Sequence, residues 1–271
     1  MADRTLQRSA LTLAVISSFV TPVMGSAVNL ALPVLGEDFA LDAVTLSWIQ
    51  TSYLLAIAVC VLPAGRLADI HGRRRTFALG MAVFGLASLL AALASSAAIL
   101  IIARVVQGAG SAMIFATGMA ILAAVFPPGE RGRAMGINVS AIYLGLATGP
   151  FLGGILTEYL TWRSVFAMGV PLSALAFGVA VWGLKAEWTE AKGERFDLLG
   201  SVIYGLALVA VIQGVGLLPG AKALGLILGG LVLLLLFVWW EGRTRAPVFE
   251  IGLFKTNRVF ALSGLAALIN Y

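Results

Sequence analysis

Apolar stretches of roughly 20 residues recur along this 271-residue chain, each long enough for a helix to cross a hydrocarbon core about 30 Å thick. A helix satisfies its own backbone hydrogen bonds where no water is available, so this pattern points to an all-α polytopic membrane protein. Composition agrees: 60% of the residues are hydrophobic and 11% are charged, against about 25% charged in a soluble domain. The pattern predicts spans at roughly 10–35, 46–65, 76–95, 98–125, 134–157, 164–184, 198–218 and 222–241, with a ninth starting near Arg258. That ninth segment, Val259 through Tyr271, supplies about 13 residues where roughly 20 are needed, so the sequence is expected to be cut inside a helix.

Basic residues test the layout, because short cytoplasmic loops carry the excess of Lys and Arg. Of the 18 Lys and Arg residues, Arg163 and Lys222 fall in one set of alternating loops, Arg104 lies within a span, and the others fall on the opposite side. The N-terminus and the loops at Arg73–Arg75 and Arg131–Arg133 are therefore expected in the cytoplasm, and the acidic turn at Glu37, Asp38 and Asp42 outside. The net charge of +5 reads as topogenic rather than as a nucleic-acid surface, since it does not gather along one aromatic-rich face. The longest inward connection, Lys185 to Asp197, mixes both signs and is expected to be solvated. The apolar run after Arg4 and Arg8 continues to about residue 35, beyond the roughly 7–15 residues of a signal-peptide core, and reads as a retained first helix.

Cys60 is the single cysteine and lies in an apolar run, which leaves no intrachain disulfide or cysteine-based metal site. His71, the one histidine, sits in a polar loop where solvation is the expectation, and Trp239 and Trp240 are expected to anchor at the membrane interface. No paired acids, histidine cluster or activated nucleophile converge in the spans, so neither an enzyme nor a cofactor or metal is expected.

Three constellations interrupt the apolar pattern. Between the second and third spans stands Gly65-Arg66-Leu67-Ala68-Asp69-Ile70-His71-Gly72-Arg73-Arg74-Arg75, where glycine permits a tight turn and Asp69 can accept from arginines or cap a helix. In the fourth span, Arg104-Val105-Val106-Gln107-Gly108-Ala109-Gly110 sets a cation in an apolar helix. Unpaired at the membrane centre it would cost about 2.5–3.5 kcal/mol, so Arg104 should face a cavity or a partner, or else snorkel to headgroups from near the helix end. In the fifth, Gly145, Gly149 and Gly153 recur at every fourth position around Pro150, with Gly154 following, a stripe that lets two helices approach closely. Asn29, Gln50, Tyr53, Asn138 and Tyr143 add polar or amphipathic groups, as cavity lining or as structural hydrogen bonders.

Together these segments resemble the major facilitator superfamily. Gly65, Leu67, Ala68, Asp69, Gly72, Arg73 and Arg74 match its cytoplasmic G-x-L-A-D-x-x-G-R-[RK] signature, with Ile70 where a basic residue is usual. The resemblance implies a latch between two transporter halves. Arg104, Gln107, Gly108 and Gly110 match the R-x-x-Q-G-x-G element of helix 4, which implies proton transfer or the charge environment of a central cavity. Gly145, Gly149, Pro150, Gly153 and Gly154 match the G-x-x-x-G-P-x-x-G-G element of antiporters, which implies export. Segments 26–33, 195–200 and 241–247, and Trp162-Arg163-Ser164-Val165-Phe166 with Pro171, are similar to the fourteen-helix drug:proton antiporters. Two further positions depart: Met24, five before Asn29, stands where relatives commonly have an acid, and Gly169 where they often have Asn.

On that resemblance residues 1–184 form an N-terminal six-helix half of a major-facilitator-like bundle, 185–197 a cytoplasmic linker and 198–241 an additional helix pair. Residues 242–271 form a cytoplasmic loop and the truncated start of a C-terminal half. The opposite senses of helices 1–3 and 4–6 permit an inverted repeat. The implied function is efflux of small organic molecules by alternating access, with protons as coupling ion, the lipid bilayer of a prokaryotic inner membrane as setting, and the missing half as a required partner. Asn29, Gln50, Tyr53, Asn138 and Tyr143 would line the substrate cavity. No Asp or Glu lies deep in helices 1–6, so a coupling carboxylate is expected beyond Tyr271. The rival readings are a carrier not driven by protons and a non-transporting membrane scaffold.

Overall fold

The computed structural model of the chain describes residues 4–270; Tyr271, the end of the expected ninth segment, lies outside the described residues. Among those residues every regular element is helical. In order these are α1 (Arg4–Asp38), α2 (Ala43–His71), α3 (Arg73–Ala92), α4 (Ala97–Val125) and α5 (Pro128–Tyr159). The sixth span is built from α6 (Trp162–Ala167), α7 (Gly169–Gly178) and a π-helical turn, Val179–Gly183. Then come α8 (Leu198–Gly216), α9 (Ala221–Glu241), a short α10 (Gly252–Thr256) and α11 (Arg258–Asn270). Eight helical segments, counting the sixth span as one, are long and apolar enough to cross a membrane.

Local chemistry fixes the helix ends, several of which run beyond the apolar pattern. Asp42 accepts from the Thr45 N–H at 2.9 Å and starts α2; Ser96 does the same for α4 through Ile99 N–H at 3.4 Å. Pro128 begins α5, where a missing N–H costs nothing. Pro171 cannot donate to the preceding turn, and the sixth span breaks at Met168.

The chain divides into two compact units, one ending at Lys192 and the other beginning at Gly193. In the first, α1 lies along α5, α4 packs on both α2 and α3, and α3 packs on α7. The α3–α4 crossing is set by facing glycines: a Cβ on Gly80 would lie 3.0 Å from the Gly110 carbonyl, and one on Gly110 would lie 2.9 Å from the Gly80 carbonyl. Leu13, Met24, Phe84, Trp162 and Phe166 fill the core, with Trp162 edge-on to Phe39 and Phe166. The first unit also takes in residues 185–192: Lys185, Glu187, Thr189, Glu190 and Lys192 are exposed, in keeping with the solvation expected of the connection, while Ala191 is buried and Trp188 lies against the core.

In the second unit α8 and α9 meet on glycine again, Gly214 against Ile227 and Gly230 against Val211. Asp197 caps α8 through Gly200 N–H at 2.9 Å and also accepts from Trp240 Nε1 at 2.8 Å. Glu241, at the end of α9, accepts from Phe249 N–H at 3.0 Å and so ties down the following loop. Trp240 is thus tied to Asp197 at the end of α9, and Trp239 is exposed beneath the Arg243 guanidinium.

Candidate functional site

Arg104 is 0% exposed, which removes the snorkelling alternative. It sits two turns into α4 and turns inward. Its Nε donates to Ile49 O at 3.0 Å, Nη1 to Gln107 Oε1 at 2.6 Å and Nη2 to Gln50 Oε1 at 3.0 Å. The guanidinium lies 3.9 Å from the Tyr53 ring centroid. The network continues outward: Gln107 Nε2 donates to Ser88 Oγ at 2.8 Å, Gln50 Nε2 to Gly25 O at 2.9 Å, and the Tyr53 hydroxyl contacts Ser111 Oγ at 2.9 Å and Thr21 O at 3.2 Å. Four helices are pinned to one cation by neutral acceptors and a π face. No acid takes part among the described residues, so the arginine keeps its positive charge without a counter-ion in the bundle. Gly108 makes this geometry possible, because a Cβ there would lie 2.5 Å from the Tyr53 carbonyl.

Gln50 and Tyr53 also face a cleft of about 460 Å³ between α1, α2, α4 and α5, which Asn29, Ser26, Phe115 and Ile142 help to line. Asn29, Gln50 and Tyr53 are thus brought together as expected. Asn138 and Tyr143 are not on this wall: Asn138 is buried and donates to Met119 Sδ at 3.2 Å where α5 meets α4, and Tyr143 is exposed elsewhere on α5. Helical rotation explains Tyr143, since Ile142 and Leu146, four apart, occupy the face that it leaves; Asn138 shares that face but lies one turn before Ile142, beyond the end of the cleft.

The α2–α3 loop closes onto residues 187–191. Gly72 has φ 113°, a region open to glycine, and a Cβ there would strike the Glu187 carboxyl. Arg73 bridges Asp69 at 3.0 Å and Glu190 at 2.7 Å, and its N–H donates to Trp188 O at 2.9 Å. Asp69 O in turn accepts from the N–H groups of Glu190 and Ala191. Arg74 donates from Nε to Ala180 O at 2.9 Å and from Nη2 to Val181 O at 2.7 Å, satisfying carbonyls of the π turn that ends the sixth span. Its own N–H reaches Glu187 at 2.8 Å. Gly65 and Leu67 are half-buried on the last turns of α2, and His71 is exposed, in keeping with the solvation expected of it.

On α5 the glycine stripe faces α1. A Cβ on Gly145 would lie 2.6 Å from Phe19 O, one on Gly149 2.9 Å from Val23 O with Ser26 in contact, and one on Gly153 against the Ala27 backbone. Gly154 meets nothing within 4 Å and is not part of this interface. Pro150 lies inside the helix beside the contact.

Sequence reasoning missed Ser88, Ser111, Glu187 and Glu190. The serines carried a weak signal as small polar residues in apolar spans; the acids carried a stronger one, as complements of Arg73–Arg75 on a nearby connection. Two of the departures from the family pattern, Met24 and Gly169, turn out to be neighbours. Met24 is fully buried, and its Cε would lie 3.4 Å from a Cβ on Gly169, beside Ser88 Oγ.

The chain matches the Major Facilitator Superfamily over residues 14–270. It is 36% identical over 234 residues to the multidrug resistance protein Stp of Mycobacterium tuberculosis, covering 84% of this chain and 43% of that one. It is 39% identical over 269 residues to the cephamycin export protein CmcT of Amycolatopsis lactamdurans, covering 95% and 53%. The chain thus spans about half the length of these curated relatives. A solved structure of a mutant peptide transporter POT in complex with sulfate superposes with TM-score 0.63 at 14% identity, over 77% of this chain and 50% of that one, a likeness of fold alone. Eight helical segments long and apolar enough to cross a membrane, in a chain matched over nearly its whole length by one family, make this an integral membrane protein of the major facilitator superfamily.

Proposed function

We propose that these residues are the N-terminal half, and the helix pair that follows it, of an exporter of small organic molecules that works by alternating access. The observation that carries this reading is the seating of Gly145, Gly149 and Gly153 directly on the α1 backbone, a close and side-chain-free contact of the kind a rocking bundle can adjust. Relatives named for multidrug resistance and cephamycin export support the outward direction. In this reading the cleft at Asn29, Gln50 and Tyr53 is one wall of the substrate cavity, and Arg104 sets its potential. The α2–α3 loop with its strap, residues 187–191, forms the cytoplasmic gate of a carrier in a prokaryotic inner membrane, N-terminus inside.

Proton coupling is the drive that fits the family; a carrier driven otherwise is favoured by one observation, the absence of a carboxylate around Arg104 among the described residues. The test is export from an efflux-deficient bacterial host expressing the complete reading frame, with the accumulation of fluorescent antibiotics and dyes followed before and after an ionophore collapses the pH gradient. Export abolished by the ionophore supports both parts. Export that survives it favours the second drive, and accumulation equal to that of the empty host removes the exporter reading.

A further inference from the structure

The start of α1 is an unusual place for two unpaired cations. Arg4 and Arg8 stand four apart on one helical face, the positive end of the helix dipole disfavours them, and the first turn holds no acid. Among the described residues neither has an ion-pair partner, nor has Arg133 at the start of α5. These three arginines, with Glu130 as the single acid there among the described residues, surround a cleft of about 540 Å³ floored by Leu11, Phe126 and Ile137. Arg8 is also on the rim of a second cleft, about 600 Å³, between α1 and the end of the sixth span. The second cleft differs in character. Ser9, Thr12, Ala174, Gly178 and Gly183 make a shallow floor, and Trp182, 79% exposed, forms its wall. An aromatic ring of that kind, at the end of a span, belongs at headgroup level.

A basic cleft at the end of membrane spans, opening through one shared arginine onto an apolar trough that runs along them, has the charge and shape of one kind of molecule. We propose that it is a binding site for an anionic glycerophospholipid, with the phosphate on Arg8 and Arg4 and one acyl chain in the trough between α1 and Trp182. Three cations against one carboxylate select a headgroup with net negative charge over a zwitterionic one. The trough selects a lipid over a free anion, which would gain nothing from Ala174 or Trp182. The site is independent of the export reading, because it would hold lipid in a carrier of any substrate or drive.

The test is native mass spectrometry of the purified full chain released from detergent with phosphatidylglycerol, phosphatidylethanolamine or glycerol phosphate. Phosphatidylglycerol should be retained over phosphatidylethanolamine, and Arg4→Gln and Arg8→Gln should each weaken it by about fivefold. Ala174→Phe, at an exposed position that fills the trough without touching the arginines, should weaken it as well. Equal retention of the two lipids, or retention unchanged by the arginine substitutions, would overturn the proposal. So would displacement of the lipid by equimolar glycerol phosphate, which would mark a free-anion site, or indifference to Ala174→Phe.

Discussion

Replacing Arg104 by Met keeps an unbranched apolar stem, stops short of the guanidinium position and removes all of the donors, so the consequence can be worked from the contacts. Two amide oxygens, Gln50 Oε1 and Gln107 Oε1, lose their donor; Ile49 O is a main-chain carbonyl inside α2 and retains its helical bond. Each stranded oxygen costs about 1–3 kcal/mol, and the lost cation–π contact with Tyr53 about 2 kcal/mol more where water is excluded. These terms come to about 4–8 kcal/mol; against them, the buried cation no longer has to be held out of water, which returns roughly half, for a net loss of about 2–4 kcal/mol. In a unit of this size that lowers the apparent unfolding midpoint by roughly 5–15 °C. Cys60, half-buried in α2, reports the transition through a thiol-reactive fluorophore on the purified chain. Arg104→Lys should also lower the midpoint, because a point-like ammonium cannot reach Ile49, Gln50 and Gln107 together. An unchanged midpoint in Arg104→Met would refute the reasoning, since it would mean the network holds nothing in place.

Gly149→Leu should impair both stability and export in the complete carrier, by more than about 1–3 kcal/mol of overpacking, while Gly154→Leu, with open space before it, should be neutral; equal effects would detach the stripe from α1. Glu187→Gln with Glu190→Gln should increase proteolysis near Trp188, because Arg73 keeps Asp69 but loses the Glu190 carboxylate and the Arg74 N–H loses that of Glu187, and an unchanged cleavage rate would count against the strap. Cysteines placed at positions 74 and 132 in a Cys60→Ser background should label from the cytoplasm and one at position 38 from outside; the reverse would invert the layout. Hydrogen bonds from the Thr45 side chain and N–H hold the Asp42 carboxyl below its ordinary value. Its cap on α2 is therefore complete at neutral pH and is lost only as acid takes the pH through that lowered value, so amide exchange at Thr45 should accelerate in acid and Asp42→Ala should abolish the acceleration.

How much of this was legible in the sequence differs between kinds of information. Span count and order were legible because length and hydropathy alone decide what crosses a membrane, and α1 to α9 fall where the pattern put them. The inward turn of Arg104 was legible from the cost of leaving it in lipid. What was not legible is rotation. These spans are apolar nearly all round, so no stripe says which face meets which neighbour, and Tyr143 could not be told from Tyr53; nor does a sequence show how far along a shared face the cleft reaches, which is what leaves out Asn138. Gly154 was grouped with Gly153 for the same reason, although one step along a helix turns a residue by about 100° and takes it out of contact. The contact of residues 187–191 with the α2–α3 turn escaped notice because mixed charge reads equally as a solvated loop or as a complement to Arg73–Arg75, and only the fold brings the two together.

Met24 and Gly169 show what such neighbours can mean. At the sequence level they are two separate departures, one losing an acid from α1 and the other losing an amide from the sixth span. In the fold they touch, and the buried thioether fills room that a side chain at position 169 would take, with Ser88 Oγ 2.8 Å from the Cβ position on the other side. An Asp and an Asn could occupy the same volume by hydrogen-bonding one another, whereas an Asp facing Gly169 or an Asn facing Met24 would be buried beside a partner of the wrong kind. Gly169→Asn alone should therefore destabilise through its clash with Met24 and Ser88, and Met24→Asp alone through an unsatisfied carboxyl. The double substitution should recover about 0.5–3 kcal/mol relative to the sum of the two. The cycle is read by the same Cys60 unfolding assay. Strict additivity would show that the two positions are independent despite their contact, and would leave the missing acid of α1 unexplained by packing.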